Sequence, residues 1–266
     1  MQQVNDLAQQ EHGLLFQLHR PRDKSMPIIE TINGAVSYSE QGAGAPIVLL
    51  HGIQGTARTW DTVAPLLSPR YRVVMPNLRG RSESVTPADA DAYRLSEFAS
   101  DLSAVLEMIN RTAVIVAWSM GVSVTLELLR RHPHPELRGL VLVSGSPCVG
   151  DEARWFNGTT AEEVADEARE RGKRLSLIEA AEPHAVAASW QHVKQADFRE
   201  SLSRILMPAL IIHGADDDQC PISHGRQLSQ RIPGAQREEW LDTGHNPMAK
   251  DPVRLARAIE YFVDSL

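Results

Sequence analysis

Short, continuous apolar runs alternate along this chain with segments of helical periodicity, and this alternation restricts the fold more than any other feature. Five such runs are evident, at residues 47–50, 71–75, 114–116, 140–143 and 209–212. Strands that are apolar on both faces are typical of a mostly parallel sheet covered by helices on both sides. Residues 28–32 and 36–39, joined by Asn33-Gly34, predict an opening hairpin, and residues 237–241 are a weaker last strand. We therefore predict an α/β fold with about eight strands.

The segments between these runs predict the covering helices. Apolar residues recur at spacings of three and four over residues 95–109, which places one apolar face on a helix. The helix after Ser119 is predicted to stop near His132-Pro133, and Asp251-Pro252 is predicted to begin the last helix. Residues 27–146 and 205–266 thus form the predicted core. Residues 1–26 are an N-terminal extension that is disordered or packs on a neighbouring surface.

One connection is much longer than a parallel crossover requires. Residues 144–206 separate two predicted neighbouring strands, whereas about a dozen residues suffice for a crossover. Thr160 and Glu163 form a capping-box pattern, and the apolar spacing that follows suggests an amphipathic helix interrupted at Gly172, with Leu175 and Ile178 on its apolar face. We assign residues 147–204 to a helical insertion, which is either a lid over the strand ends or an extension of the surface.

Composition excludes several classes of function. The formal net charge is −7, with 27 Lys and Arg against 34 Asp and Glu, so the chain has no general attraction for nucleic acid or an anionic membrane. No apolar run approaches the roughly 20 residues of a membrane span. The two cysteines, Cys148 and Cys220, have no metal-ligand spacing and predict reduced thiols in a cytoplasmic protein. The expected partner is a small-molecule substrate, with no metal and no cofactor.

A serine flanked by small residues follows the third apolar run directly. Ala117 and Gly121 bracket Ser119, as a sharp strand-to-helix turn requires when it presents a serine hydroxyl to a base. Taken alone, the segment is also compatible with a serine that caps a helix between two buried elements. Other segments of the chain must decide between these interpretations.

Acidic residues and a histidine follow the last two predicted strands. Asp216, Asp217 and Asp218 lie in a turn after residues 209–212, and His245 lies in a loop before the final helix. Loops at the carboxyl ends of parallel strands lie along one edge of the sheet, so these side chains can meet Ser119. His51 and His213 are expected to bind local backbone rather than to take part in chemistry.

Four blocks together make the chain resemble the α/β-hydrolase superfamily over roughly residues 30 to 265. They are His51-Gly52-Ile53-Gln54-Gly55-Thr56, Asn77-Leu78-Arg79-Gly80-Arg81-Ser82, the turn at Ser119, and the loops of Asp217 and His245. The resemblance implies that Ser119 is the nucleophile, His245 the base and Asp217 the orienting acid, with Asp216 and Asp218 as alternatives one residue away. It also implies an oxyanion hole formed by the backbone N–H groups of Ile53 and Met120.

Several residues depart from the usual pattern of that superfamily. Ala117 replaces the usual glycine, Asn77 stands where many relatives have aspartate, Arg81-Ser82 replaces a common His-Gly, and Val122 replaces a second glycine after Ser-Met-Gly. None of these changes removes a member of the predicted triad. They do distinguish the chain from the familiar subfamilies, so the fold alone does not identify its substrate.

The leading functional hypothesis is a cofactor-independent serine hydrolase of a small carboxylic ester, thioester or lactone that works through an acyl-enzyme. Gln54, Trp118 and Trp155 are candidate residues of the substrate pocket, and Trp118 could equally belong to the core. Two alternatives stay open at this point: a carbon–carbon bond hydrolase of a diketone-type substrate on the same triad, and a ligand receptor or regulator that retains the fold. Lyase, perhydrolase or cofactor-free oxygenase chemistry at the same serine is a further alternative.

Overall fold

The computed structural model of the chain describes residues 25–131, 134, 136–150, 152–153 and 155–266. Nearly all of the predicted N-terminal extension, and the predicted helix end at His132-Pro133, lie outside the described residues. No described helix is long and apolar enough to cross a membrane.

Eight strands form one sheet, as predicted. Their order across the sheet is β1-β2-β4-β3-β5-β6-β7-β8, with β1 and β2 antiparallel to their neighbours and all other pairs parallel. The bounds are β1 Ile28–Thr31, β2 Gly34–Gln41, β3 Ala45–Leu50, β4 Tyr71–Pro76, β5 Ala113–Trp118, β6 Leu137–Val143, β7 Ala209–Gly214 and β8 Gln236–Trp240. The apolar runs and the opening hairpin are thus confirmed as strands, and the carboxyl ends of β3 to β8 share one edge.

The sheet divides the core into two apolar layers, which explains why the strand sequences do not alternate. In β3, Ile47 and Leu49 face one layer, while Val48 and Leu50 face the other, and all four are fully buried. Strand β5 repeats the division, with Val114 and Val116 in the layer of Ile47. Each layer is covered by helices, so the residues of central strands such as β3 and β5 are apolar whichever way they point.

Eight α-helices cover the sheet and its connections within the described residues. Their bounds are α1 Ala64–Leu67, α2 Leu95–Ile109, α3 Met120–Arg131, α4 Ala161–Arg174, α5 Pro183–Val193, α6 Ile222–Arg231, α7 Pro247–Lys250 and α8 Pro252–Asp264. The predicted helix at residues 95–109 is confirmed as α2. Asp251 caps α8 by accepting a hydrogen bond from the Arg254 N–H, as its position before Pro252 predicted.

Helices α4 and α5 lie between β6 and β7, within the predicted insertion. The capping box of Thr160 and Glu163 is present at the start of α4. The predicted interruption at Gly172 is wrong, because α4 continues to Arg174; a side chain at position 172 would meet no other atom, so glycine there serves no packing contact. Leu175 and Ile178 do not extend an apolar helix face either, since both follow the helix and are largely exposed.

Candidate active site

Ser119 occupies the turn that joins β5 to α3. Its φ of 55° lies in the left-handed region, which is unusual for a residue with a side chain and reflects the sharpness of the turn. The Ser119 N–H donates to the Val143 carbonyl at 3.0 Å, which fixes the turn against β6. At Gly121 an added Cβ would lie 2.7 Å from the Leu50 carbonyl oxygen, so only glycine allows α3 to begin this close to β3.

Ser119, His245 and Asp217 lie within hydrogen-bond distance of one another in a chain. Oγ of Ser119 is 2.9 Å from Nε2 of His245, and Nδ1 of His245 is 2.9 Å and 3.0 Å from the two carboxylate oxygens of Asp217. Because the carboxylate can only accept, Nδ1 carries the imidazole proton and Nε2 of the neutral ring is left to accept from the serine. The serine and histidine are 3% and 8% exposed.

Asp217 is held by more donors than the imidazole alone. Its Oδ1 accepts from the N–H groups of Gln219 and Cys220, and its Oδ2 lies 3.3 Å from Nε2 of His213. Burial works to raise the pKa of this carboxyl, but the hydrogen bonds from His213, His245 and the Cys220 backbone outweigh it and hold the pKa well below its usual range. The neighbouring Asp216 and Asp218 are both exposed, and of the three carboxylates Asp217 is the one in contact with His245.

The loop after β3 carries Ile53, and a buried histidine fixes that loop. Nε2 of His51 accepts from the Leu78 N–H at 3.1 Å, so Nδ1 carries the proton and donates to the Gly52 carbonyl at 2.8 Å. The Gly52 carbonyl and the Ile53 N–H belong to the same planar peptide and point in opposite directions. Complete burial, and then the charge of Arg81, lower the pKa of His51 to about 3, so the ring is neutral.

Met120 is the first residue of α3. The first N–H groups of a helix have no carbonyl partner within it, and they lie at the positive end of the helix dipole. Of the two residues predicted for the oxyanion hole, Met120 follows Ser119 directly in the chain. Ile53 follows Gly52, and Gly52 is so close to the serine that an added Cβ would lie 3.1 Å from the Ser119 Cβ.

Trp118 contacts the histidine loop. Its Nε1 donates to the His245 carbonyl at 2.8 Å, and the two ring centroids are 5.3 Å apart. The side chain also packs against the core layer that contains Ile47 and Leu49. Of the two roles considered for Trp118, these contacts favour a residue of the core that positions His245.

Gln54 and Trp155 contact the helical insertion and the acid loop. Nε2 of Gln54 donates to the Ala168 carbonyl on α4 at 2.9 Å, which ties the loop of Ile53 to the insertion. Nε1 of Trp155 lies 3.3 Å from Sγ of Cys220, and its ring lies 5.4 Å from that of Trp190 on α5. Their place in a substrate pocket stays a prediction.

Comparison with known proteins identifies the family. The sequence model described as "Alpha/beta hydrolase family" matches residues 47–258, which is well over half of the chain. A pimeloyl-[acyl-carrier protein] methyl ester esterase from Aromatoleum aromaticum is 31% identical over 248 residues, covering 80% of this chain and 96% of that protein. The chain belongs to the α/β-hydrolase family.

Other relatives of this α/β hydrolase agree with that assignment. A non-heme chloroperoxidase from Kitasatospora aureofaciens is 27% identical over 255 residues, covering 83% of this chain and 92% of that protein. Among solved structures, an esterase from Exiguobacterium antarcticum superposes with a TM-score of 0.79 at 21% identity, covering 90% of this chain and 100% of that one, and so shares the fold. The protein is an enzyme, a hydrolase of the esterase type.

The structure also reveals a buried residue near the loop of Ile53 for which no role is predicted from the sequence. Arg81 is fully buried, and its guanidinium donates to the carbonyl oxygens of Ile53 and Arg79. The signal in the sequence was a departure from the family pattern, since Arg81-Ser82 replaces a common His-Gly of that loop. A charged residue in a loop ordinarily predicts exposure, so the pattern alone did not indicate its place behind Ile53.

No group of three or more His, Cys, Asp or Glu side chains that could hold a metal ion occurs within the part of the α/β hydrolase that the structure describes. The two histidines beside the triad loops bind backbone carbonyls instead: His51 that of Gly52, and His213 that of Cys220 at 2.7 Å.

Proposed function

We propose that this enzyme hydrolyses small carboxylic esters, including thioesters or lactones, through nucleophilic attack by Ser119. The observation that carries the proposal is the hydrogen-bonded chain from Ser119 Oγ through His245 to Asp217, with both links at 2.9 Å. A serine hydroxyl becomes an effective nucleophile when a base can take its proton as it attacks, and this geometry supplies that base.

The reaction proceeds in two halves. In acylation, Oγ attacks the ester carbonyl carbon while its proton moves to Nε2 of His245; the tetrahedral intermediate then collapses, and the imidazolium gives that proton to the departing alkoxide, thiolate or lactone oxygen. In deacylation, water attacks the acyl-enzyme, its proton moves to Nε2, and the carboxylic acid leaves as Oγ regains the proton. Asp217 holds the ring orientation and stabilises the imidazolium in both halves.

The backbone N–H groups of Ile53 and Met120 stabilise the oxyanion of the two tetrahedral intermediates. Met120 N–H is a free donor at a helix N-terminus, and Ile53 N–H is directed by the peptide that His51 holds. A preorganised donor of this kind contributes about 10²–10³ in rate in other serine hydrolases.

Helices α4 and α5 act as a lid that favours modest substrates. Gln54 is joined to α4 through its side chain, and its carbonyl accepts from the Ala181 N–H just before α5, so the insertion covers the loop of Ile53. Ser119 is 3% exposed, and we expect a substrate to reach it along the loop of Ile53 that the insertion contacts. The relative from Aromatoleum aromaticum, which acts on a methyl ester, supports a small alcohol leaving group.

A substrate panel tests the proposal. Methyl and p-nitrophenyl esters, thioesters, lactones and vinylogous diketones are assayed with the wild-type enzyme and with Ser119→Ala. We expect turnover of at least one ester, thioester or lactone by the wild type and a loss of several orders of magnitude in the variant. Turnover confined to the diketones, or equal turnover by both proteins, would contradict the proposal.

A further inference from the structure

Arg81 is an isolated cation in the interior. It is 0% exposed, its Nε has no hydrogen-bond partner, and among the described residues no carboxylate forms an ion pair with it. The nearby Asp101 is already engaged by Arg79, which donates to its two oxygens at 2.7 Å and 2.8 Å. The guanidinium instead lies over the Phe98 ring, 5.4 Å from its centroid.

A buried charge without a counter-ion is costly, so its retention calls for an explanation. Burial lowers the pKa of Arg81 to about 9, which still leaves it charged at neutral pH. One anion does form nearby during the proposed reaction: the oxyanion bound by Ile53. The Nη2 group of Arg81 donates to the carbonyl of that same residue.

We propose that Arg81 is a positioning and electrostatic residue that stabilises the oxyanion from behind the loop of Ile53. It acts by holding the Ile53 carbonyl in place and by placing a fixed positive charge close to the developing negative charge. This inference rests on the proposed function, because it presumes a tetrahedral oxyanion on Ser119. The hydrogen bond from Nη2 of Arg81 to the Ile53 carbonyl places this charge directly against the loop.

The expected magnitude follows from Coulomb's law. At an effective dielectric constant of about 20, two unit charges separated by about 6 to 10 Å interact with an energy that corresponds to roughly a tenfold to hundredfold change in an equilibrium constant. The charges of Arg79 and Asp101 largely cancel one another, so they leave this effect in place. We therefore expect a tenfold to hundredfold contribution from Arg81.

The most direct test measures the acidity of a hydroxyl group whose ionisation produces an oxyanion in this position. A trifluoromethyl ketone labelled with ¹³C at the carbonyl forms a hemiketal with Ser119, and its chemical shift reports ionisation of the hemiketal hydroxyl as pH is raised. We expect the hydroxyl in Arg81→Met to be ten to a hundred times less acidic than in the wild type. Arg72→Gln, which removes a partly exposed cation from β4, is the control and is expected to match the wild type.

The unfolding temperature provides a second measurement. If Arg81 served only to hold the structure together, its loss would lower the unfolding temperature and leave the hemiketal acidity unchanged. Methionine has a similar length and needs no counter-ion, but it leaves the Ile53 and Arg79 carbonyls without their donor, so these effects offset and Arg81→Met is expected to unfold near the wild-type temperature while kcat falls tenfold to a hundredfold. Equal hemiketal acidity in the two proteins, or a fall in stability with unchanged acidity, would overturn the inference.

Arg81→Lys keeps the test decisive if the methionine variant does not fold. A buried lysine loses its proton at a lower pH than arginine, while its neutral amine can still donate to the Ile53 carbonyl. We expect its kcat to fall at a lower pH than that of the wild type, in which Arg81 has a pKa of about 9; a pH profile equal to that of the wild type with full activity would count against the charge. If the wild type forms no hemiketal at all, the proposed serine chemistry fails, and the role of Arg81 fails with it.

Discussion

The two sides of Ser119 hold buried charges in opposite ways. On the side of β7 and β8, Asp217 accepts from two backbone N–H groups and contacts the ring of His245 at 2.9 Å, and Nε2 of His213, which binds the Cys220 carbonyl, lies 3.3 Å away. On the side of β3 and β4, Arg81 has two carbonyl partners, and within the described part of the chain its Nε has no acceptor and no carboxylate forms an ion pair with it. The carboxylate thus has several hydrogen-bond donors around it, whereas the guanidinium keeps one N–H group without an acceptor among the described residues.

This difference corresponds to what each side does in the proposed mechanism. The carboxylate must stay ionised and oriented throughout the cycle, because it faces an imidazole that is alternately neutral and charged. The oxyanion loop must favour a charge that exists only in the tetrahedral intermediates, so an unneutralised cation behind it is useful. Substitutions on the two sides can break or sharpen this comparison.

The largest effect is expected on the side of the acid. Asp217→Asn keeps the size of the side chain but removes the charge and no longer fixes the His245 tautomer, and we expect kcat to fall by about 10⁴. Asp216→Asn and Asp218→Asn are matched controls, since both side chains are exposed, and each is expected to retain activity within about twofold. Steady-state kinetics of the three variants would identify another acid if Asp217→Asn remained active.

The next effect is expected on the oxyanion side. Ile53→Pro removes one backbone N–H, and we expect a loss of about 10²–10³ in kcat, while Ile53→Val keeps the donor and should remain near wild-type activity. Proline and valine variants are compared by kcat together with thermal unfolding. Comparable activity of the two variants would mean that the Ile53 N–H does not act on the oxyanion.

A smaller effect is expected where Trp118 holds the histidine loop. Trp118→Phe keeps an aromatic ring but removes the donor to the His245 carbonyl, a bond of 2.8 Å. Losing one such bond costs about 1 kcal/mol, so we expect a loss of severalfold in kcat and a modest fall in the free energy of unfolding. A large rise in KM with unchanged kcat would instead place Trp118 in the substrate pocket.

The effect expected at His51 is on stability rather than on activity, and it appears only in acid. Its pKa is about 3 in the folded protein and near 6.5 when unfolded, so between these values the unfolded chain binds the extra proton. The free energy of unfolding should therefore fall as pH falls through this window, by up to about 1.4 kcal/mol per pH unit from this group. Denaturation of His51→Asn should show a correspondingly shallower slope; an equal slope would mean that His51 is not held neutral.

The sequence predicted most of the sheet and the order of the site loops because those features follow from local patterns. Continuous apolar runs such as residues 209–212 mark strands buried on both faces, and Ser119 and Asp217 follow such strands, whereas His245 follows the polar strand β8. The chain did not reveal the end of α4, because exposed leucine and isoleucine at 175 and 178 continue the apolar spacing without packing. Burial of Arg81 depends on packing between β4, Phe98 and the loop of Ile53, which no local pattern records.

The central claim is that Ser119 is the nucleophile, and labelling with a fluorophosphonate followed by intact-mass analysis tests it most directly. Ser144 is the matched control, because it is also buried, has a φ of 47° and directly follows the neighbouring strand β6, but its Oγ has no hydrogen-bond partner among the residues that the structure describes. We expect one adduct on the wild type and on Ser144→Ala, and none on Ser119→Ala. An adduct that persists on Ser119→Ala would contradict the account.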